Sequence, residues 1–378
     1  MKHKIMTIVF CAILLAGFAL NVVTPDKDIS FTERRPLDQM PVLNKDFIFS
    51  KDTGEILEEY LLDQFWNRDG VRNLKVWFDR NVLRKSDSSG LYEINGHLFK
   101  MDYPLNENSV IKAADKIKDI NTKFLGVADQ VAYSIIPDKA HYNPLKDKYL
   151  SLDYEKMESI LTEQMETVSD NGQTRIPAMG YVALEPTLEL DDYYYTDLHW
   201  KQENLKETVE AIWNYFGIEA ELDMDEFTVK DYAPFYGAYY GQAASNGNGD
   251  QLSWLVDEEI ENMIVKDFDE MKASKDIVYA EEKLGTVDSY ELFFGGNSPL
   301  IVIDNPSCET GDRLILFRDS FGSAIAPLLA KEYSQVVLVD LRFLGYEYLG
   351  NFVEFEDADI LFMWGQAIYN DSTMIRQR

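Results

Sequence analysis

The last third of the chain alternates short apolar runs with a helical stretch, and this pattern restricts the possible fold more than any other feature. Residues 314–317, 336–339 and 358–365 read as strands that are buried on both faces. A helical stretch over 323–333, with Pro327 near its start, lies between the first two. Strand, helix and strand at this spacing form a parallel sheet with right-handed crossovers. We therefore predict an α/β fold with a parallel sheet flanked by helices.

The chain begins with a short basic end followed by an apolar run. Lys2 and Lys4 precede residues 5–23, which are uncharged and almost wholly apolar. That length lies between the apolar region of a signal peptide, about 7–15 residues, and the roughly 20 residues of a spanning helix. Residues 1–23 are therefore predicted to be a transmembrane anchor or a signal peptide. In either case the remainder is exported, because the positive end stays in the cytoplasm.

The rest of the chain divides into a linker and one large domain. Residues 24–52 are polar and contain three prolines, so we expect a linker with little structure of its own, and we assign residues 53–378 to a catalytic domain. Asn95-Gly96 between apolar alternations predicts a β-hairpin. Further elements expected from periodicity are helices over 53–83, near 107–122, over 153–168 and after Trp200, and a strand over 131–139.

Charge and cysteine content exclude several classes of function. The formal net charge of −30 argues against nucleic-acid binding, which needs basic patches, and against docking of the folded domain on anionic lipid. Membrane contact is expected through the N-terminal segment only. Cys308 is the only cysteine beyond the apolar run, so the exported part has no internal disulfide. The loop around Asp250 resembles a calcium loop but has Gln251 where glycine is required, so no metal and no cofactor are predicted.

Ser320 occupies a position typical of a nucleophile in an α/β fold. It follows a predicted buried strand and precedes a predicted helix, and open parallel sheets keep their active sites at the carboxyl ends of strands. The N–H groups of such a turn can stabilise an oxyanion, and Gly322 would allow the chain to turn tightly. The alternative is that Ser320 or Ser323 merely caps the helix.

The segment YYYTDLHW, residues 193–200, supplies a possible base for that serine. If the segment is extended, Asp197 and His199 point to the same side, so the carboxylate can orient the imidazole and stabilise its protonated form. Trp200 would form a wall of the site. The alternative is a hydrogen-bonded surface histidine. Among the exported histidines, His199 is the best candidate for a base, since His97 follows a hairpin turn and His141 follows a strand.

Four sequence blocks, in order, resemble the DHHW family. YYYTDLHW resembles the signature of that family, with Leu198 in place of its first histidine, and RDSFGSAIAPLLAKEYSQVVLVDLRF (318–343) is similar to its second block. GLYEINGHLFK (90–100) and IPDK (136–139) are similar to two earlier blocks. The family is related to the alginate O-acetyltransferases, so the resemblance implies an SGNH-hydrolase-like fold, in which an Asp-x-His pair precedes the nucleophilic serine.

Carried over to this sequence, the resemblance implies Ser320 as nucleophile, His199 as base and Asp197 as orienting acid. Arg342 matches an arginine of the family; it would bind the oxyanion or the sugar, or form a salt bridge with Asp340 or Asp319. Lys139, expected at the rim of the same sheet, and Trp200 are further candidates to bind the substrate or the oxyanion. Asp319 would anchor the turn.

These residues predict an extracytoplasmic, serine-dependent O-acyltransferase. The resemblance implies acetyl as the acyl group, a cell-surface polysaccharide as acceptor and a membrane acyltransferase as a possible source of acetyl. Two alternatives stay open from the sequence. One is a carbohydrate esterase with the same three residues, and the other is a non-enzymatic carbohydrate-binding protein of the cell envelope. The aromatic residues of 232–241 could stack on sugar rings or pack in the core.

Overall fold

The computed structural model describes residues 2–30, 33–42, 44, 47, 50–83, 85, 87, 90–166, 179–243, 248–268 and 274–378. The predicted α/β fold is confirmed, with a mostly parallel central sheet flanked by helices and an apolar helix at the N-terminus.

The central sheet has eight strands in the order β10-β9-β11-β13-β12-β14-β5-β6. The five strands from β13 to β6 are parallel, and β11, β9 and β10 add an antiparallel edge. Their bounds are β5 Gln130–Ile136, β6 Met179–Tyr181, β9 Ile264–Asp267, β10 Ser274–Asp276, β11 Leu300–Asp304, β12 Arg313–Arg318, β13 Gln335–Val339 and β14 Asp359–Gly365.

Three two-stranded pairs lie outside this sheet: β1 Ile29–Ser30 with β2 Arg35–Pro36, β3 Leu91–Ile94 with β4 His97–Lys100, and β7 Thr228–Phe235 with β8 Asp250–Val256. The described α-helices are α1 Lys2–Val23, α2 Thr53–Asp63, α3 Arg68–Asn81, α4 Glu107–Phe124, α5 Tyr154–Glu166, α6 Lys206–Tyr215, α7 Ala238–Gln242, α8 Glu258–Asn262, α9 Phe321–Leu329 and α10 Gln366–Asn370.

Alternate residues of each central strand face opposite sides of the sheet, and each side has its own core. In β12, Leu314 and Leu316 pack into a core with Trp200 and Trp213, whereas Ile315 and Phe317 pack into the other core. Because both faces are covered, β12 is apolar at nearly every position, as expected for a parallel strand between two layers of helices. The carboxyl ends of β5, β12, β13 and β14 meet at one edge, where the predicted site residues lie.

The hairpin β3–β4 forms where Asn95-Gly96 predicts it. Both residues have positive φ, 52° and 89°, as the tight hairpin turn requires. The backbone N–H of Leu98 donates to the carbonyl of Tyr195 at 2.8 Å. The hairpin is therefore attached directly to the 193–200 segment.

The N-terminal part of the chain is more structured than its composition suggests. Of the helices described, α1 is the one long and apolar enough to cross a membrane. Within the segment 24–52, expected to have little structure of its own, β1 and β2 form a short antiparallel pair. The helical pattern over 53–83 forms two helices, α2 and α3, separated by a break at residues 64–67.

One helix boundary differs from the prediction. Helix α9 begins at Phe321, directly after Ser320, so Pro327 is its seventh residue and not near its start. The α-helix continues for two residues beyond Pro327, and a short 3₁₀ turn, Ala330–Glu332, follows.

Candidate active site

Ser320 lies in the short connection between β12 and α9. Its φ and ψ are −62° and −24°, and although it occupies the N-cap position of α9, its side chain makes no capping hydrogen bond. Its Oγ lies 2.7 Å from Nε2 of His199. The capping alternative therefore does not describe this serine.

Asp319 anchors the turn that presents Ser320. Its Oδ1 accepts a hydrogen bond from Phe321 N at 3.0 Å, and its Oδ2 accepts one from Gly365 N, at the end of β14, at 2.7 Å. The carboxylate thus ties the start of α9 to the neighbouring strand.

Gly322 is required for a reason that differs from the prediction. Its φ does not lie in the left-handed region, so a tight turn does not explain it. A Cβ at this position would lie 2.5 Å from Cβ of Arg318. Glycine is therefore needed because the first turn of α9 passes close to the end of β12.

The Asp197 carboxylate orients the His199 ring, although the backbone between them is not extended as expected. Oδ1 of Asp197 accepts from Nδ1 of His199 at 2.6 Å and from the His199 N–H at 3.0 Å. The second bond is an Asx-type turn, which bends the chain. A bridge between Tyr193 and Trp200, with Tyr194 N donating to His199 O at 3.1 Å, closes this loop.

The second oxygen of Asp197 is also fully engaged. Oδ2 accepts from Arg34 Nη1 at 3.0 Å and from Ala238 N at 2.6 Å, and the residue is wholly buried. Burial by itself would raise the pKa of Asp197, but His199, Arg34 and the Ala238 N–H outweigh it and hold that pKa well below its ordinary value. Asp197 is therefore ionised in the folded protein.

Arg34 is a site residue that the sequence did not indicate. It lies in the turn between β1 and β2 with a φ of 55°, its side chain is only 10% exposed, and it bridges Asp197 and Asp288. Nothing local distinguishes it, since it is an arginine in a polar, proline-containing segment. A pairing with a carboxylate 163 residues away leaves no local pattern.

Tyr290 is a second site residue that the sequence did not indicate. Its ring stacks on the His199 ring, with the centroids 3.9 Å apart and the planes 8° from parallel. The stacked ring restricts rotation of the imidazole about its side-chain bonds. Together with the bond to Asp197, it holds Nε2 towards Ser320.

Lys139 is bound to backbone carbonyls of the 193–200 segment and does not border the cavity, which corrects the prediction that it binds substrate or oxyanion. The residue is completely buried, and its Nζ donates to the carbonyls of Tyr194, Tyr195 and Asp197 at 2.8, 3.1 and 2.6 Å. Burial lowers the pKa of Lys139 to about 8, although nearby carboxylates oppose the shift. Its three donors are directed at the loop, so it holds Asp197 in place.

Trp200 has a similar structural role, so the prediction that it walls the site is wrong. It is fully buried, its ring packs edge-on against Phe321, and its Nε1 donates to the Phe321 carbonyl at 3.0 Å. The contact joins the loop of residues 193–200, which we call the histidine loop, to the first turn of α9. Trp200 therefore fixes the distance between the two halves of the site.

Arg342 lines the site while forming the salt bridge expected as one alternative. Its Nε and Nη2 donate to the carboxylate of Asp340, at 2.9 and 2.6 Å for the shortest contacts. The same side chain borders the cavity that contains Ser320.

The loop that resembles a calcium site has a different function. Residues 244–247 lie outside the described part of the chain. Asp250 is buried and accepts hydrogen bonds from Tyr195 N, Thr196 N and Thr196 Oγ1. It therefore buttresses the histidine loop. Among the described residues, no group of three or more His, Cys, Asp and Glu side chains is arranged to hold a metal ion.

A cavity of about 350 Å³ opens over Ser320 and His199. It is bordered by residues from distant parts of the chain: Glu33, Arg34, Leu198, His199, Ala238, Gln242, Asp288, Tyr290, Glu291, Phe293, Gly296, Asn297, Ser320, Ser323 and Arg342. Of the aromatic residues in 232–241, Phe235 and Tyr239 are buried and Tyr236 is exposed. The stretch thus packs partly in the core and contributes Ala238 to the cavity.

Comparison with known proteins confirms the resemblance inferred from the four blocks. The model of the family described as DHHW protein matches residues 187–339, which contain Asp197, His199 and Ser320. No curated protein sequence matches the chain.

Solved structures with similar folds include a DHHW family protein from Eubacterium siraeum, 15% identical, with a TM-score of 0.62 over 76% of this chain and 94% of that one. Bacillus cereus PatB1 with a sulfonyl adduct is 16% identical, with a TM-score of 0.58 over 76% and 98%. A second structure of PatB1 has the same TM-score, 18% identity and coverages of 76% and 99%. These likenesses establish the fold.

Proposed function

We propose that this protein is an extracytoplasmic, serine-dependent acyltransferase in which Ser320 is the nucleophile, His199 the base and Asp197 the orienting acid. The observation that carries the proposal is the continuous hydrogen-bonded chain from Asp197 Oδ1 through His199 to Ser320 Oγ, with separations of 2.6 and 2.7 Å. Both distances lie within the range needed for proton transfer between a nucleophile and its base.

In the first half of the reaction, Ser320 Oγ attacks the carbonyl carbon of an acyl donor, and His199 Nε2 takes the hydroxyl proton. The ionised Asp197 stabilises the imidazolium that forms. The tetrahedral intermediate collapses, the donor's leaving group departs with the proton from His199, and an acyl-serine remains. In the second half, a hydroxyl of the acceptor attacks the acyl carbon as His199 takes its proton. The bond between that carbon and Ser320 Oγ then breaks, and His199 returns the proton to Ser320.

The N–H groups at the start of α9 are less available for an oxyanion than the sequence suggested. Phe321 N donates to Asp319 Oδ1, and Ser323 N donates to the Ser320 carbonyl. We therefore assign charge stabilisation in part to side chains that border the cavity beside Ser320. Asn297 and Arg342 are the candidate donors among them.

The resemblance to the DHHW family and the alginate O-acetyltransferases supports acetyl as the acyl group and a cell-surface polysaccharide as the acceptor. A membrane acyltransferase is the corresponding candidate donor. An esterase would use the same chain of residues and differ only in accepting water.

The nucleophile is tested with a sulfonyl fluoride, since PatB1, which has a similar fold, is recorded with a sulfonyl adduct. Phenylmethanesulfonyl fluoride should add one sulfonyl group to the peptide that contains Ser320, as detected by mass spectrometry. Ser323→Ala is the matched control, because Ser323 borders the same cavity and lies three residues away. Labelling should persist in Ser323→Ala and be lost in Ser320→Ala and His199→Ala. Equal labelling of all variants would contradict the proposal and favour a binding protein.

The acceptor is tested with p-nitrophenyl acetate. Acetyl on Ser320 that transfers to added oligosaccharides would support a transferase. Rapid loss of the acetyl group to water, unaffected by oligosaccharides, would support the esterase alternative.

A further inference from the structure

Helices α2 and α3 expose their apolar side chains and bury acids. Of the residues in Thr53–Asp63 and Arg68–Asn81 whose burial the structure describes, only Asp63 and Asp79 are buried. The exposed fractions of the large apolar side chains are 53% and 60% for Leu61 and Leu62, and 48%, 63% and 46% for Val71, Leu74 and Phe78. We call these five residues the apolar face of α2–α3. Such an arrangement is the reverse of that in a helix that packs on a soluble core.

Ion pairs beside this face fix the orientation of the helices. Asp63 pairs with Arg35, while Arg68 and Arg72 both pair with Glu33, next to the active-site Arg34. These pairs hold the two helices on the β1–β2 segment and leave the apolar face exposed. Residues 71, 74 and 78 follow helical spacing, so they form one continuous stripe along α3.

The end of the apolar helix α1 lies beside this pair of helices. Trp66 N, in the α2–α3 connection, donates to Asn21 Oδ1 in the last turn of α1 at 2.6 Å. Lys27 N donates to Gln64 Oε1 at 2.9 Å. Phe65 and Trp66 are 43% and 41% exposed at this junction. Aromatic residues at the end of a spanning helix are typical of the level where lipid headgroups meet water.

The charge of α3 also differs from that of the whole chain. Helix α3 contains four basic and two acidic residues, whereas the chain carries a net charge of −30. A helix with an apolar stripe, basic residues and aromatic side chains has the composition of one that lies in a membrane surface. The prediction of membrane contact through the N-terminal segment alone used the net charge of the entire chain, which conceals this local difference.

We propose that the apolar face of α2–α3 lies in the outer surface of the bilayer that α1 spans. The protein would then contact the membrane at two places, and Glu33, held by Arg68 and Arg72, would connect the second contact to the wall of the cavity. This inference does not depend on the acyl-transfer reaction.

The test uses the full chain in phosphatidylcholine vesicles. In a Cys11→Ser, Cys308→Ser background, single cysteines replace Leu74, Leu62 or Glu309 and carry an environment-sensitive NBD dye. Glu309 is exposed in a distant loop and serves as the control. Nitroxides attached to lipid acyl chains should quench the dye at positions 74 and 62, whose emission should also shift to the blue, and should leave position 309 unaffected.

Two results would overturn the proposal. Emission at 74 and 62 that matches position 309 would show that the face points into water. A blue shift without quenching by lipid nitroxides would show that protein, not lipid, covers it. Because positions 74 and 62 lie on different helices, misfolding caused by one substitution does not remove the test, and urea unfolding followed by tryptophan fluorescence reports whether each variant keeps its fold.

Discussion

The substitution Asp197→Asn probes the buried carboxylate on which the proposed mechanism depends. Asp197 accepts four hydrogen bonds, from His199 N, His199 Nδ1, Arg34 Nη1 and Ala238 N. An asparagine side chain has one acceptor oxygen and one NH₂ group, so in either orientation the NH₂ faces two donors. Two hydrogen bonds are lost whichever way the amide is turned.

The size of the effect follows from those two bonds. Hydrogen bonds to charged groups contribute about 1.5–3 kcal/mol each, so the free energy of unfolding should fall by about 3–6 kcal/mol. The rate of sulfonyl labelling at Ser320 should fall by on the order of 10³–10⁴-fold, because the imidazole loses both its orientation and the charge that stabilises its protonated form. Urea unfolding followed by fluorescence measures the first quantity, and mass spectrometry over time measures the second.

Asp250→Asn is the matched control. Asp250 is a buried acid in contact with the same loop, where Tyr195 N, Thr196 N and Thr196 Oγ1 donate to it. This variant should lose comparable stability but retain far more of the labelling rate. If Asp197→Asn labels at the wild-type rate, or if both variants lose labelling equally, then Asp197 acts only through the shape of the loop and our reasoning is wrong.

Three further substitutions test other parts of the structure. Burial, together with nearby Lys139, lowers the pKa of His97 to about 4, so acid should favour unfolding between about pH 6.5 and 4. The change in free energy of unfolding from pH 7 to pH 5, measured with urea, should be about 2 kcal/mol more unfavourable in the wild type than in His97→Phe, and an equal change in both would assign it to other groups. Gly322→Ala should reduce stability by about 1–3 kcal/mol, since its Cβ would meet Arg318, and wild-type stability would mean that α9 can shift. Arg34→Ala should raise the pKa of Asp197 and lower the free energy of unfolding by about 1.5–3 kcal/mol, because the buried Oδ2 loses a charge-assisted hydrogen bond; unchanged stability in urea unfolding would exclude this coupling.

Part of the fold follows from local sequence alone. The strands at β12, β13 and β14 were predictable because strands buried on both faces are apolar throughout, and the Asn95-Gly96 turn was predictable because few residues tolerate positive φ. The close sequence spacing of Asp197 and His199 likewise made their pairing predictable. The conformation between them was not, because an Asx-type bond, and not an extended strand, brings the two side chains together.

The surroundings of the site could not be predicted in the same way. Lys139 and Trp200 were expected at the substrate, yet both are buried. Lys139 donates to backbone carbonyls of the histidine loop, and Trp200, within that loop, donates to the carbonyl of Phe321 in α9. Whether a polar side chain contacts substrate or backbone depends on which elements pack over it. Residue type does not carry that information.

The sequence by itself determined the alternation of strands and helices, the apolar N-terminal helix and the order of Asp197, His199 and Ser320, because each rests on spacing along the chain. Only the tertiary structure decided that Arg34 reaches Asp197, that Tyr290 stacks on His199 and that α2–α3 turns its apolar face outwards. These features are contacts between segments far apart in sequence. They depend on how the elements pack against one another, and no local pattern records that packing.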